Sequence, residues 1–249
     1  MPEERWLLPC RLMVQDAVLK PINMSIASYI DHTILKPTTT IAEVEQLCGE
    51  AVGYGFAAVC VPPPFVKRVA AILKPTTVKT ATVIGFPFGY SATEAKVAET
   101  VLAIVDGADE LDIVINMVAL RMGDWEFLSR EVKLLQEVIR SKGKISKLII
   151  ESGILTNEEI IQCCTVLGTL GIDYMKTSTG YAEKGASVEA VQLMRKHLPA
   201  GVKIKASGGI RNYEFARQLV DAGADRLGCS ASVTIVKSDP IFAGATGGY

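Results

Sequence analysis

Eight short runs rich in β-branched residues, each followed by a longer amphipathic stretch, constrain this chain more than any other feature. Past residue 25 the β-rich runs fall at 29–34, 57–61, 78–84, 110–115, 147–151, 173–177, 202–206 and 225–228. Between them, apolar residues recur at helical spacing over 41–52, 64–73, 92–106, 125–141, 157–170, 187–197 and 213–222. Thr40, Ser91, Asp124, Thr156 and Asn212 stand where helix N-caps belong. The glycines of VGYG, DGAD, TLGID and DAGAD stand where helices stop. Runs such as KLII and VKIKA are short and apolar, as parallel strands covered on both faces must be. Eight such β/α units predict an α/β fold of the (β/α)8 TIM-barrel type. An open doubly wound sheet is the alternative, and the lack of G-x-G-x-x-G after the first strand counts against it.

The 249 residues suit one such barrel, and 49% hydrophobic residues fill a large core without a metal or disulfide staple. Residues 1–25 stand outside the repeat and read as an N-terminal extension carrying a helix. Residues 26–249 read as the catalytic barrel, ending in a glycine-rich, flexible tail. A formal net charge of −1 provides no basic field for nucleic acid or an anionic membrane. The six cysteines form no C-x-x-C pair and there are two histidines, so neither a zinc site nor a disulfide framework is expected, and no cofactor. Neither a signal peptide nor a stretch of about 20 apolar residues is legible, which makes the cytoplasm the expected compartment.

A barrel of this kind works at the C-terminal ends of its strands. Two lysines, Lys176 and Lys205, fall there on neighbouring strands. Ammonium groups are rarely buried, so a pair inside a barrel points to chemistry; alternatively one of them faces outward to a carboxylate. Two unit charges ~4 Å apart at an effective dielectric of ~20 repel by ~4 kcal/mol, about three pKa units. One amine of such a pair is then neutral enough near pH 7 to attack a carbonyl. Asp112, in GADELDIVINMVAL, is expected to point inward among apolar residues, stay ionised beside the ammonium groups and relay protons. Asp109 and Glu110 are expected nearer the strand entrance and solvated. Small residues in TSTG (177–180), SGG (207–209) and GCSAS (228–232) would let backbone N–H groups approach a phosphate. His32 is expected to be a structural hydrogen-bonder at the barrel mouth.

YIDHTILKP, AAVCVPPPFV, VIGFPFG, GADELDIVINMVAL, IIESGIL, YMKTSTGY and KIKASGGIR resemble, in order, successive blocks of the deoxyribose-phosphate aldolase family. The resemblance spans roughly residues 28 to 236. It implies reversible, metal-free cleavage of 2-deoxy-D-ribose 5-phosphate to D-glyceraldehyde 3-phosphate and acetaldehyde. It implies that Lys176 forms the Schiff base, that Lys205 perturbs it and that Asp112 is the acid/base group. Asp31, Thr33, Cys60 and Thr177 fall on substrate-pocket positions, and Gly180, Gly208, Gly209 and Ser230 on the phosphate-binding backbone. Tyr249 matches a C-terminal tyrosine that assists proton transfer in some members. Tyr181 departs from relatives that carry lysine there, which would weaken phosphate preference. The expected partners are a phosphorylated sugar, an aldehyde and further copies of the chain, as a homodimer or homotetramer. Two other readings share the barrel: a transaldolase-like lyase needing a ketose donor, and a phosphosugar-binding barrel without catalysis.

Overall fold

The computed structural model describes residues 25–245, and the expected N-terminal extension and Tyr249 lie outside them. Strands β1 (Ile30–Thr33), β2 (Ala58–Val61), β3 (Lys79–Ile84), β4 (Glu110–Val114), β5 (Ile145–Ile149), β6 (Tyr174–Lys176), β7 (Lys203–Ser207) and β8 (Arg226–Cys229) form one closed parallel barrel in sequence order. Helices α1 (Ile41–Tyr54), α2 (Val66–Leu73), α3 (Thr93–Val105), α4 (Met117–Arg121), α5 (Trp125–Ser141), α6 (Asn157–Val166), α7 (Val188–His197), α8 (Tyr213–Asp221), α9 (Ser232–Lys237) and α10 (Pro240–Ala245) surround it. No described helix is long and apolar enough to cross a membrane.

The local chemistry explains where these elements begin and end. Thr40 and Thr156 close capping boxes with Glu43 and Glu159, and Asp124 and Asn212 cap α5 and α8. Each such cap is worth about 1 kcal/mol. Ser91 does not cap α3: Ala92 holds that position and no side chain bonds the first turn. Ser187, read from sequence as helical, instead caps α7. Pro63–Phe65 form a 3-10 turn before α2, since successive prolines withhold the N–H groups a helix needs. Gly55 ends α1 in the left-handed conformation that glycine adopts without a Cβ clash. The glycine-rich end is helical from Pro240 to Ala245, where a flexible tail was expected. Asp239 starts that helix by accepting from the Ile241 N–H at 3.0 Å.

Alternation along the strands sorts the interior. Outward residues such as Leu111, Ile113, Leu148, Met175, Ile204 and Leu227 join the helices in one large apolar core. Inside the barrel, β2 and β3 contribute only a small apolar cluster, Ala58, Cys60, Ala81 and Val83. Those short side chains leave room for long polar ones from the opposite wall. The register places Lys176 beside Lys205 and Lys205 beside Arg226, while Asp112 pairs with Lys147. A second buried ion pair holds the outer layer: Lys96 Nζ on α3 lies 2.9 Å from Glu131 on α5 and donates to the Val114 carbonyl at the end of β4.

Candidate active site

The C-terminal mouth of the barrel opens into a cavity of about 620 Å³. Lys176 lies at its base, and Thr33, Gly180, Gly208, Gly209 and Ser230 are among its walls. Of the four buried lysines among the described residues, Lys96, Lys147, Lys176 and Lys205, only Lys176 also lines this cavity. Its amine donates to Asp112 Oδ2 at 2.7 Å, and Lys205 donates to the same oxygen at 2.6 Å. Lys205 also bonds Asp31, and Lys147 approaches Asp112, Glu110 and Asp31 at 2.9, 2.6 and 3.3 Å. Arg226 completes the set, 2.6 Å from Asp31 and 3.3 Å from Glu110.

Burial penalises every one of these charges, so pairing decides which persist. Burial would raise the Asp112 carboxyl, but Lys147, Lys176 and Lys205 overcome it and hold Asp112 well below the ordinary carboxylate range. Asp31 is lowered likewise, against burial, by Lys147, Lys205 and Arg226. Burial would lower Lys205, yet Asp112 and Asp31 raise it; Lys147 is raised in the same way by Asp112, Asp31 and Glu110. Lys176 goes the other way. Burial lowers it, the nearby Lys205 charge adds to the effect, and Asp112 only partly compensates. The site therefore contains one amine poised to lose its proton among ammonium groups that keep theirs.

The structure divides the candidate substrate residues. Thr33, Gly180, Gly208, Gly209 and Ser230 face the cavity, with Lys36 and Arg211 adding cations to its wall. Asp31, Cys60 and Thr177 do not line it. Asp31 is fully buried away from the cavity, with both carboxylate oxygens bonded to cations. Cys60 is buried in the small interior cluster, and burial pushes its thiol up to about 11. Thr177 donates to the Ser207 carbonyl and accepts from the Ser207 N–H, locking β6 to β7. Glu110 corrects the expectation of a solvated strand entrance: it is 1% exposed, between Lys147 and Arg226. His32 Nε2 lies 2.7 Å from Glu50 on α1, the structural partnership expected of it. Tyr181 spans the mouth, its hydroxyl donating to the Leu35 carbonyl and its ring packed edge-on to Phe86.

Sequence reasoning missed Lys147, Arg226, Arg211 and Glu151. Lys147 was legible as the first residue of a strand, but β5 begins at Ile145 and carries Lys147 into the barrel. Glu151 has φ 54° and accepts from the Thr179 N–H and hydroxyl, fixing the turn after β6. A side-chain residue rarely adopts that backbone, and such outliers gather at functional sites.

A family model described as DeoC/LacD family aldolase matches residues 25–238. This chain belongs to the DeoC/LacD aldolase family. A deoxyribose-phosphate aldolase of Thermococcus gammatolerans is 48% identical over 218 residues, covering 87% of this chain and 97% of that one. Another of the same name, from Caldicellulosiruptor saccharolyticus, is 46% identical over 86% of this chain and 98% of its own. Among solved structures, the deoxyribose phosphate aldolase of Aeropyrum pernix, described as a unique tetramer, superposes with a TM-score of 0.80 at 34% identity. That match covers 86% of this chain and 90% of the other. The eight-stranded barrel and its mouth thus belong to an aldolase lineage.

Proposed function

We propose that this protein is a class I aldolase that reversibly cleaves 2-deoxy-D-ribose 5-phosphate to D-glyceraldehyde 3-phosphate and acetaldehyde. One observation carries the reading: among the described residues Lys176 is the one buried lysine at the cavity, and burial beside Lys205 lowers its proton affinity. Its neutral Nζ attacks the C1 aldehyde of the open-chain sugar, and loss of water from the adduct leaves an iminium. The C3 hydroxyl then gives up its proton, the C2–C3 bond breaks, and its electron pair flows into the iminium to form an enamine. Protonation at C2 and hydrolysis release acetaldehyde and restore the amine. Asp112 and Lys205 are the acid/base groups, because each hydrogen-bonds within the same cluster as the reacting nitrogen.

The phosphate end falls to Gly180, Gly208, Gly209 and Ser230, with Lys36 and Arg211 supplying charge that Tyr181 does not. Thr33 is the substrate-hydroxyl contact, while Asp31, Cys60 and Thr177 shape the site from beneath. Five described cysteines are free and buried, which suits a reducing compartment such as the cytoplasm. Self-assembly into a dimer or tetramer fits the exposed apolar residues Phe88, Tyr90, Val118 and Met122.

The test is borohydride reduction in the presence of 2-deoxyribose 5-phosphate, followed by peptide mass mapping. The expected product is a reduced adduct on Lys176, absent from a Lys176→Ala variant that also lacks turnover. No adduct on any lysine of the folded protein would leave a phosphosugar-binding barrel instead.

A further inference from the structure

Three carboxylates, Asp31, Glu110 and Asp112, are ion-paired in the barrel with four cations, Lys147, Lys176, Lys205 and Arg226. The cations outnumber the carboxylates by one. Burial disfavours such an excess, and it is relieved when one cation loses a proton. Arg226 cannot be the donor, because a guanidinium stays protonated. Lys147 is bonded to three carboxylates and Lys205 to two, whereas Lys176 has Asp112 alone. The proton therefore leaves Lys176.

We propose that Arg226 is a positioning residue for the Schiff-base step: its fixed charge, bound to Asp31 and Glu110, favours the neutral form of the Lys176 amine. The inference rests on the aldolase reading above. Lys176, Lys205 and Arg226 are register neighbours on β6, β7 and β8. Strands lie about 4.8 Å apart, so two strands separate Arg226 from Lys176 by about 10 Å. A unit charge at that range shifts a buried amine by roughly one pKa unit at an effective dielectric of ~20.

Of the remaining groups facing the cluster, Glu151 carries an opposing charge. On β2, Cys60 is held neutral by burial, and β3 places the apolar Ala81 and Val83 beside it. Next to β1, the Cys229 thiol on β8 is pushed up to about 12 by burial. The Tyr174 ring on β6 lies 5.7 Å from the Arg226 guanidinium, with Lys203 of β7 over the same ring. Glu151, following β5, accepts from Thr179 and is a negative charge that acts on Lys176, favouring the protonated amine. It is the same in every variant below, so it bears on the position of the limb and not on its displacement.

The experiment measures the rate of borohydride-trapped adduct formation with 2-deoxyribose 5-phosphate from pH 5 to 10. In Arg226→Met the acid limb moves up by about one pH unit, so trapping at a pH below the limb slows about tenfold. Glu110→Gln moves the limb down, and the Glu110→Gln/Arg226→Met double variant returns it to the wild-type position, because one charge of each sign is gone. Arg226→Lys retains the charge and leaves the limb in place. An Arg226→Met limb that coincides with wild type overturns the proposal, as does an Arg226→Lys limb displaced as far as that of Arg226→Met. If Arg226→Met does not fold, a Glu110→Gln limb that coincides with wild type, or an Arg226→Lys limb displaced by about one pH unit, overturns the proposal. Absence of any adduct in wild type would instead defeat the aldolase reading on which the inference stands.

Discussion

Replacing Lys205 by methionine tests the tuning of Lys176 most directly. The two amines bond the same Asp112 oxygen at 2.7 and 2.6 Å, so they lie no more than about 5 Å apart. At an effective dielectric of ~20 their repulsion is about 3 kcal/mol, roughly two pKa units. Lys176 is lowered from its ordinary value, so its reactive neutral fraction grows with pH and activity has an acid limb governed by this amine. Removing the Lys205 charge raises Lys176, and the limb moves to higher pH. At neutral pH, adduct formation with 2-deoxyribose 5-phosphate should slow about 100-fold, recovering most of the loss above the new limb. The effect should exceed that of Arg226→Met, since the charge is one strand away and not two. Trapping rates measured across pH, with folding checked by circular dichroism, give the answer. A uniform loss at every pH, with the limb unmoved, would refute electrostatic tuning and leave Lys205 a proton-transfer group only.

Three further outcomes are expected. Lys96→Met strands the Glu131 carboxylate, which is 1% exposed, and should cost about 3–5 kcal/mol in urea unfolding. Gly185→Ala would bring a Cβ to within 2.2 Å of the Gly208 carbonyl oxygen, so the loop must shift. That overpacking should raise KM for the phosphorylated sugar about tenfold and leave KM for unphosphorylated 2-deoxyribose unchanged; an equal change in both would place the damage elsewhere. Deleting Tyr249 should lower turnover severalfold, and unchanged kinetics would dismiss the terminal tyrosine from proton transfer.

The barrel was legible because each unit carries its own punctuation. Thr40, Asp124, Thr156 and Asn212 cap the helices they precede, and glycines end them, so strand count and order followed from local rules. Lys176, Lys205 and Asp112 were legible because charges in apolar strands demand explanation. Lys147, Glu110 and Arg226 were not, for Glu110 and Arg226 open their strands and Lys147 stands mid-strand, away from the C-terminal ends where such a reading looks. Their role depends on register: Asp112 opposite Lys147, and Lys205 opposite Arg226, are pairings between strands that no single stretch of sequence encodes. Asp31 was placed at the substrate for the same reason, since its cations come from β5, β7 and β8.

Asp239 joins the two ends of the described chain. One of its oxygens accepts from the Ser25 hydroxyl and the Ile26 N–H, both at 2.9 Å, while the other starts α10. β1, among the first strands synthesised, must wait for β8 before its second edge is covered. On a translating ribosome, that edge stays open until some two hundred further residues have been made, an interval of about ten to forty seconds at usual elongation rates. The carboxylate that fastens the ring follows ten residues after β8, so the barrel can be latched only after its last strand has been made. Brought together in this way, Ser25 and Asp239 also mark where the described barrel could be linked to itself and opened elsewhere, at an exposed loop on the face away from the cavity.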